Sequence, residues 1–167
     1  MILGVFGPDG SAYVIAHIKV PRLMVEGAFP FLVDTGADET TLHMRDAIQL
    51  LSTEVIANPI GNNPKSWAKI KKRFRLLGNL ALIGGVGGTA AYFKEPAQIT
   101  FTHHDNTEED CVFDLNIAKP ERFKSRKFRQ QFELPSLLGI DILNRFRLVM
   151  DYSNNQISLF TLNSVEP

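Results

Sequence analysis

The chain predicts a mainly β domain with one or two short helices, and three observations carry that prediction. Short segments rich in Val, Ile, Phe and Leu recur between turn signals along most of its length. A helical period is clear in "MRDAIQLLS" (44–52), where Met44, Ala47, Ile48 and Leu51 fall on one face. Its 167 residues, with no internal repeat, amount to one ordinary domain spanning 1–167. A domain of that size buries roughly 70% of the surface its unfolded chain exposes, so it needs no disulfide or metal to hold together.

Taken in order, residues 2–6 read as a strand, "PDG" (8–10) as a turn and "AYVIAHIKV" (12–20) as the hairpin partner. A Pro-led connection follows, then a strand ending at Asp34 and the helix at 44–52. "NPIGNNP" (58–64) has the composition of a loop. "LLGNLALIGGVGGTAAYF" (76–93) reads as two apolar strands joined by a glycine cluster. "AQITFTHH" and "CVFDLNIA" read as two further strands with "DNTEED" between them. "LLGIDILNRF" (137–146) starts extended and turns helical. "RLVMDYSNNQISLFTL" reads as a hairpin turning at Asn154-Asn155, residues that tolerate the positive φ of a type I′ turn.

Composition excludes several classes of function. Eighteen basic and eighteen acidic residues leave no net charge to steer a polyanion or an acidic surface. Two stretches, "KSWAKIKKRFR" (65–75) and "KPERFKSRKFRQQF" (119–132), interleave cations with aromatics. With no nucleic-acid motif beside them they read as solvated faces anchored by their rings, and no nucleic-acid partner is expected. The single cysteine, Cys111, rules out an intrachain disulfide and reads as a small apolar strand residue. No basic leader with an apolar core opens the chain, and no run approaches the ~18 apolar residues of a membrane span. A cytoplasmic protein without a membrane partner is therefore expected. Adjacent His103 and His104 would point to opposite faces of a strand, so "HHD" reads as a turn with solvated histidines, and neither a metal nor a cofactor is expected.

The stretch that carries chemistry is "FPFLVDTGADETTLH" (29–43). An apolar strand that stops on Asp34-Thr35-Gly36 places a carboxylate where burial is costly unless the group is paired or used. Two other segments stand in a telling order behind it: "LIGGVGGTAAYF", a glycine-tipped hairpin centred on residues 84–88, and "LLGIDILNRFRLVMDY", with Leu137-Leu138-Gly139 at its head. In these three segments the sequence resembles the retropepsins, the retroviral-type aspartic proteases, over about residues 10–162.

That resemblance implies a closed antiparallel barrel of the acid-protease type, active as a C2 homodimer. It implies hydrolysis of a peptide bond by a water held between Asp34 and the same residue of a second copy, since the chain has one Asp-Thr-Gly and not two. Two carboxylates about 3 Å apart repel by roughly 5 kcal/mol at an effective dielectric near 20, so the pair keeps one proton to well above the ordinary Asp range. One member then acts as base while the other donates a proton. By the same resemblance Thr35 hydrogen-bonds across the dimer, and Gly36 lets its amide approach the carboxylate. Ala37 and Asp38 lie beside the substrate. Gly85, Val86 and Gly87 form a flap over an extended peptide, and Leu137, Leu138 and Gly139 form the structural element beneath the dyad. Ala37, in place of a hydroxyl residue, gives the dyad one hydrogen bond fewer and an activity optimum nearer pH 5 to 6 (roughly) than 3.

The chain departs from the pattern at Ile140, where retroviral enzymes commonly carry an arginine paired with the aspartate equivalent to Asp38; Arg145 or Arg147 is a substitute by position. A terminal strand, "MILGVF" or "QISLFTL", is expected to seal the dimer. The residues leave two other readings standing: a non-catalytic dimerisation or peptide-binding module on the same fold, and a monomeric β domain whose Asp-Thr-Gly is incidental.

Overall fold

The computed structural model describes residues 1–52, 64–85, 88–121 and 125–162. The first hairpin joins β1 (Ile2–Phe6) to β2 (Ala12–Val20), turning at Gly10, whose φ of +80° suits a residue without a Cβ. A 3-10 turn at Pro21–Leu23 leads into β3 (Val25–Val33), which pairs with β2 along its whole length. The short β4 (Thr41–Leu42) precedes α1 (Met44–Ser52), which has the bounds its periodicity predicts. Helix α2 (Pro64–Phe74) leads to the hairpin of β5 (Asn79–Gly85) and β6 (Gly88–Thr102), and β6 pairs with β7 (Glu108–Ala118). Helix α3 (Arg126–Glu133), β8 (Ser136–Leu138), α4 (Ile140–Leu143) and the hairpin of β9 (Phe146–Asp151) and β10 (Gln156–Thr161) complete the chain.

Six strands close into a barrel in the order β6-β7-β4-β8-β3-β2, with β2 pairing back onto β6. The β1-β10-β9 ribbon continues the sheet from β2, and β5 continues it from β6. Phe29, Phe31, Ile18, Ile99, Phe101 and Leu115 fill the interior, each at most 2% exposed. Helix α1 lies against β3 and β7 with Met44, Ala47, Ile48 and Leu51 buried, and α2 and α3 pack on α1.

The mainly β class and the closed barrel match expectation; several details do not. Two of the barrel's junctions, β3–β8 and β4–β7, are parallel rather than antiparallel. There are four α-helices among the described residues rather than one or two. The basic stretches hide α2 and α3, because their apolar residues are few: Ile70 and Phe74 are buried in α2, Phe128 in α3. Spacing of four still defines a face. Ser125 caps α3 by accepting the Phe128 amide at 3.0 Å. Lys69, Lys71, Lys72, Arg126, Lys127 and Arg129 stay exposed, as read, but Arg73 is half-buried and its Nη1 donates to the Leu51 carbonyl at 2.6 Å; Phe74 and Phe128 anchor the helices.

The segments read as separate strands on either side of Pro96 are one strand, β6. The Lys119 amide donates to the Ala91 carbonyl, so odd residues of β6 turn their backbone toward β7 and even ones away. Pro96 therefore aims its missing N–H at the gap between the last β5 pairing, at Lys94, and the first β2 pairing, at Gln98. No ladder bond is lost there. The last hairpin turns through four residues, 152–155, and only Asn155 has positive φ (52°), so the two-residue type I′ turn is not formed. Asp151 organises the longer loop instead, accepting from Ser153 Oγ at 2.5 Å and from the Asn154 amide at 3.1 Å. The expected loop at 58–64 lies outside the described residues except Pro64, which opens α2.

Candidate active site

Strand β3 delivers Asp34 to the surface. Phe29, Phe31 and Val33 alternate into the core, and the chain leaves the strand where the Asp34 amide donates to the Leu138 carbonyl at 3.1 Å. Asp34 Oδ1 then accepts the Gly36 amide at 2.9 Å, and the Asp34 carbonyl accepts the Ala37 amide at 3.2 Å. These bonds make Asp34-Thr35-Gly36 a closed turn with its carboxylate partly exposed; Thr35, Gly36 and Asp38 stand in solvent.

Residues a hundred positions away hold that turn. Leu137 and Leu138 pair with Leu32 and Val33, and β8 thereby slots between β3 and β4. Gly139 passes so close to the loop that a Cβ there would meet the Glu39 carbonyl carbon at 2.6 Å and the Thr40 nitrogen at 2.8 Å. Only glycine fits, although its φ of −90° is ordinary. The Gly139 amide donates to Thr40 Oγ1 at 3.0 Å, the Ile140 amide to the Ala37 carbonyl at 2.8 Å and the Asp141 amide to the Asp38 carbonyl at 3.2 Å. The Asp141 carboxylate returns the contact: Thr40 donates its amide at 2.9 Å and its hydroxyl at 2.7 Å to Oδ1.

A second clamp comes from Glu39. Its carboxylate accepts Lys94 Nζ at 2.6 Å and Asn116 Nδ2 at 2.8 Å, tying the loop to β6 and β7. These two donors, Lys94 first, hold the Glu39 carboxyl below its usual range. Lys94 sits at the base of the β5–β6 hairpin, so the loop and the hairpin are tied together. Their register runs to Gly85 opposite Gly88; Gly85 ends β5, and Val86 and Gly87 lie outside the described residues.

Behind the loop a polar cluster is buried at the start of α1. Ser136 Oγ donates to Asp46 Oδ2 at 2.6 Å and accepts the His43 amide at 3.0 Å, while Arg45 Nε donates to Asp46 Oδ1 at 3.0 Å. The His43 ring lies 6.1 Å from that of Tyr92. Burial pushes the His43 imidazole down to about 4, against the opposing pull of the Asp46 charge.

The structure brings Leu137 to Gly139 beside Asp34 to Asp38, and sequence reasoning missed Glu39, Thr40, Asp141, Lys94 and Asn116. Of these, Asp141 had a signal: an acid two residues after Gly139 at the start of a helix is a natural amide acceptor. Neither substitute arginine reaches Asp38. Arg147 lies over the Phe160 ring at 4.7 Å, and Arg145 lies by Cys111. Among the described residues Asp38 has no ion-pair partner, because α4 turns the chain away before either arginine is reached.

His103 is also not solvated. Its ring meets Glu109 at 3.1 Å and the Met1 amino group at 2.8 Å, since the 103–107 turn folds it back on the β1 end of the sheet. Among the described residues no three His, Cys, Asp or Glu side chains converge as a metal-binding set, and no helix is long and apolar enough to cross a membrane. No protein-family model matches the chain, and no curated protein matches it.

Proposed function

We propose that the chain is one half of a homodimeric aspartic endopeptidase of the retropepsin type. A single observation carries the reading: Asp34 sits in a closed surface turn tied to β8 and α4 through the backbone of Asp34, Ala37 and Asp38, in a loop that Lys94 and Asn116 clamp at Glu39, while its carboxylate, among the described residues, takes one amide of its own loop. A carboxylate placed so rigidly and left accessible is suited to orient a water. One carboxylate cannot be base and acid together, so the second comes from another copy across a two-fold axis.

In that assembly the exposed Thr35 hydroxyl meets its counterpart, and Ala37 and Asp38 flank an extended peptide. The β5–β6 hairpin closes over the peptide backbone by strand-like pairing, Gly85, Val86 and Gly87 being the residues that the resemblance assigns to the flap. As the water attacks, the ionised carboxylate takes its proton and the protonated carboxyl gives its own to the scissile carbonyl. As the tetrahedral diol collapses, the proton taken from water passes to the leaving amine and a diol hydroxyl returns a proton to the pair, which ends singly protonated as it began.

The test is cleavage of an unbiased peptide library between pH 4 and 7 by the protein and its Asp34→Asn variant. Cleavage confined to the unaltered protein is expected. Absence of cleavage from a confirmed dimer overturns the protease reading and leaves a binding module.

A further inference from the structure

The dimer's seal was expected at a terminal strand, but both candidates are occupied within the protomer. Strand β1 is flanked by β2 and β10, and β10 by β1 and β9. Among the described residues β9 is the strand that ends the sheet on this side. It is also an unusual edge. "FRLVMD" carries no proline or lysine, and Val149 and Met150 are 40% and 36% exposed. A bare apolar edge invites another strand.

We propose that β9 pairs antiparallel with β9 of a second copy, with Val149 on the two-fold axis, and that this ribbon seals the homodimer. The inference rests on the protease reading in so far as that reading requires a second copy.

The backbone limits the register. The Leu162 amide donates to the Arg145 carbonyl, so odd residues of β9 face β10, and Phe146, Leu148 and Met150 turn their amides and carbonyls to the open edge. A self-pairing must therefore join even residues through hydrogen bonds. With Val149 on the axis, Leu148 exchanges both bonds with Met150 of the second copy, and Met150 does so with Leu148.

The side chains select among the registers that remain. This one alone sets Arg147 opposite Asp151 on both sides of the axis. Shifting the centre to Phe146-Leu148 sets Arg147 against Arg147. Centring on Leu148 sets Arg147 opposite Val149 and Asp151 opposite Arg145, which lies by Cys111, and centring on Met150 sets Asp151 opposite Val149 and Arg147 opposite Ser153, so neither satisfies both strand charges. The Arg147 guanidinium lies over the Phe160 ring at 4.7 Å and the residue is exposed, so its N–H groups can donate to a carboxylate. Asp151 keeps acceptor capacity beyond its bonds to Ser153 and Asn154. Only α4 and two residues separate β9 from Gly139, which lies against the Asp34 loop. The proposed ribbon is thus joined by a short connection to the segment that supports the Asp34 loop.

Sedimentation equilibrium of the full chain tests the charge pairing. Arg147→Asp is expected to weaken dimerisation at least ~10-fold, and adding Asp151→Arg is expected to restore it to within ~3-fold, because the swap rebuilds both pairs. Asp151 also organises the 152–155 loop, so Val149→Cys gives an independent reading. An on-axis pair that exchanges no backbone bonds has its Cα atoms about 4.5 Å apart, within disulfide reach. Mild oxidation is expected to join two chains through residue 149, while buried Cys111 stays reduced.

A dimer that ignores both charge changes and does not cross-link overturns the β9 interface, as does a monomer at every concentration. Cross-linked dimer that cleaves no peptide keeps the interface and overturns the protease reading. A cleaving dimer that fails to cross-link overturns the interface alone.

Discussion

Acid should weaken this fold through His43, and the effect can be sized. The imidazole is 8% exposed and is held down to about 4, against 6.5 for a free histidine. A folded pKa below the unfolded one means that the unfolded chain binds the extra proton between those values, so stability falls as pH drops from about 6.5 to about 4. At roughly 1.4 kcal/mol per unit, a displacement of ~2.5 units gives about 3 kcal/mol, reached below pH 4 and absent above pH 7. The perturbation is His43→Gln, which keeps a polar planar group and the backbone amide that donates to Ser136. Urea unfolding of both proteins from pH 7.5 to 4 isolates the histidine, because carboxylate titration cancels in the difference. The variant is expected to lose its disadvantage as pH falls, by about 3 kcal/mol over the range. Parallel stability curves, or an imidazole proton resonance titrating near 6.5 in the folded protein, would refute the reasoning.

Two further substitutions probe the supports of the site. Gly139→Ala puts a methyl within 2.6–2.9 Å of three backbone atoms of Glu39 and Thr40. The backbone must move, so a loss of about 2 kcal/mol and roughly 4–8 °C in melting temperature is expected, with peptide cleavage falling further than stability; an unchanged melting temperature refutes the contact. Arg22→Met strips the partner from Glu95, which is wholly buried and takes Arg22 Nε at 2.5 Å and the Gly78 amide at 2.7 Å. Burial by itself raises that carboxyl, and Arg22 with Gly78 more than offsets it to hold it below the usual range. Without Arg22 the folded pKa of Glu95 rises above the unfolded one, so the stability deficit of the variant relative to the parent should widen as pH climbs through about 4.5, other titrations cancelling in the difference. A deficit that stays constant over pH 4 to 6 refutes the pairing.

How much was legible follows from the range of each interaction. Local periods gave β1 to β3, α1 and the last two strands, because alternation and 3.6-residue spacing are written in adjacent residues. The glycine and Leu-Leu-Gly segments pointed to the Asp34 loop, and β8 does lie beside it. The clamps on that loop were not legible. Asp141 reaches Thr40 across 101 residues and Asn116 reaches Glu39 across 77, and no local pattern encodes such pairs. The helices α2 and α3 were obscured for another reason: two buried apolar side chains in α2 and one in α3, with Phe132 partly buried, suffice when a third helix, α1, supplies the rest of the apolar surface. Pro96 misled because its cost depends on which strand faces it, a fact of topology rather than of sequence.

Those long-range clamps also order the assembly of the site. The parallel pairing of β3 with β8 joins residue 31 to residue 136, so Leu138 receives the Asp34 amide only once a long loop has closed. Glu39 needs β6 and β7 paired, since its two partners sit on those strands. Gly139 and Asp141 arrive only with the last third of the chain. A partly folded chain can hold the first hairpins and bury Phe29 and Phe31, but it lacks the bonds that close the Asp-Thr-Gly turn against the barrel. The carboxylate is thus set only when both halves of the barrel meet, and its geometry reports the completed fold rather than the local motif.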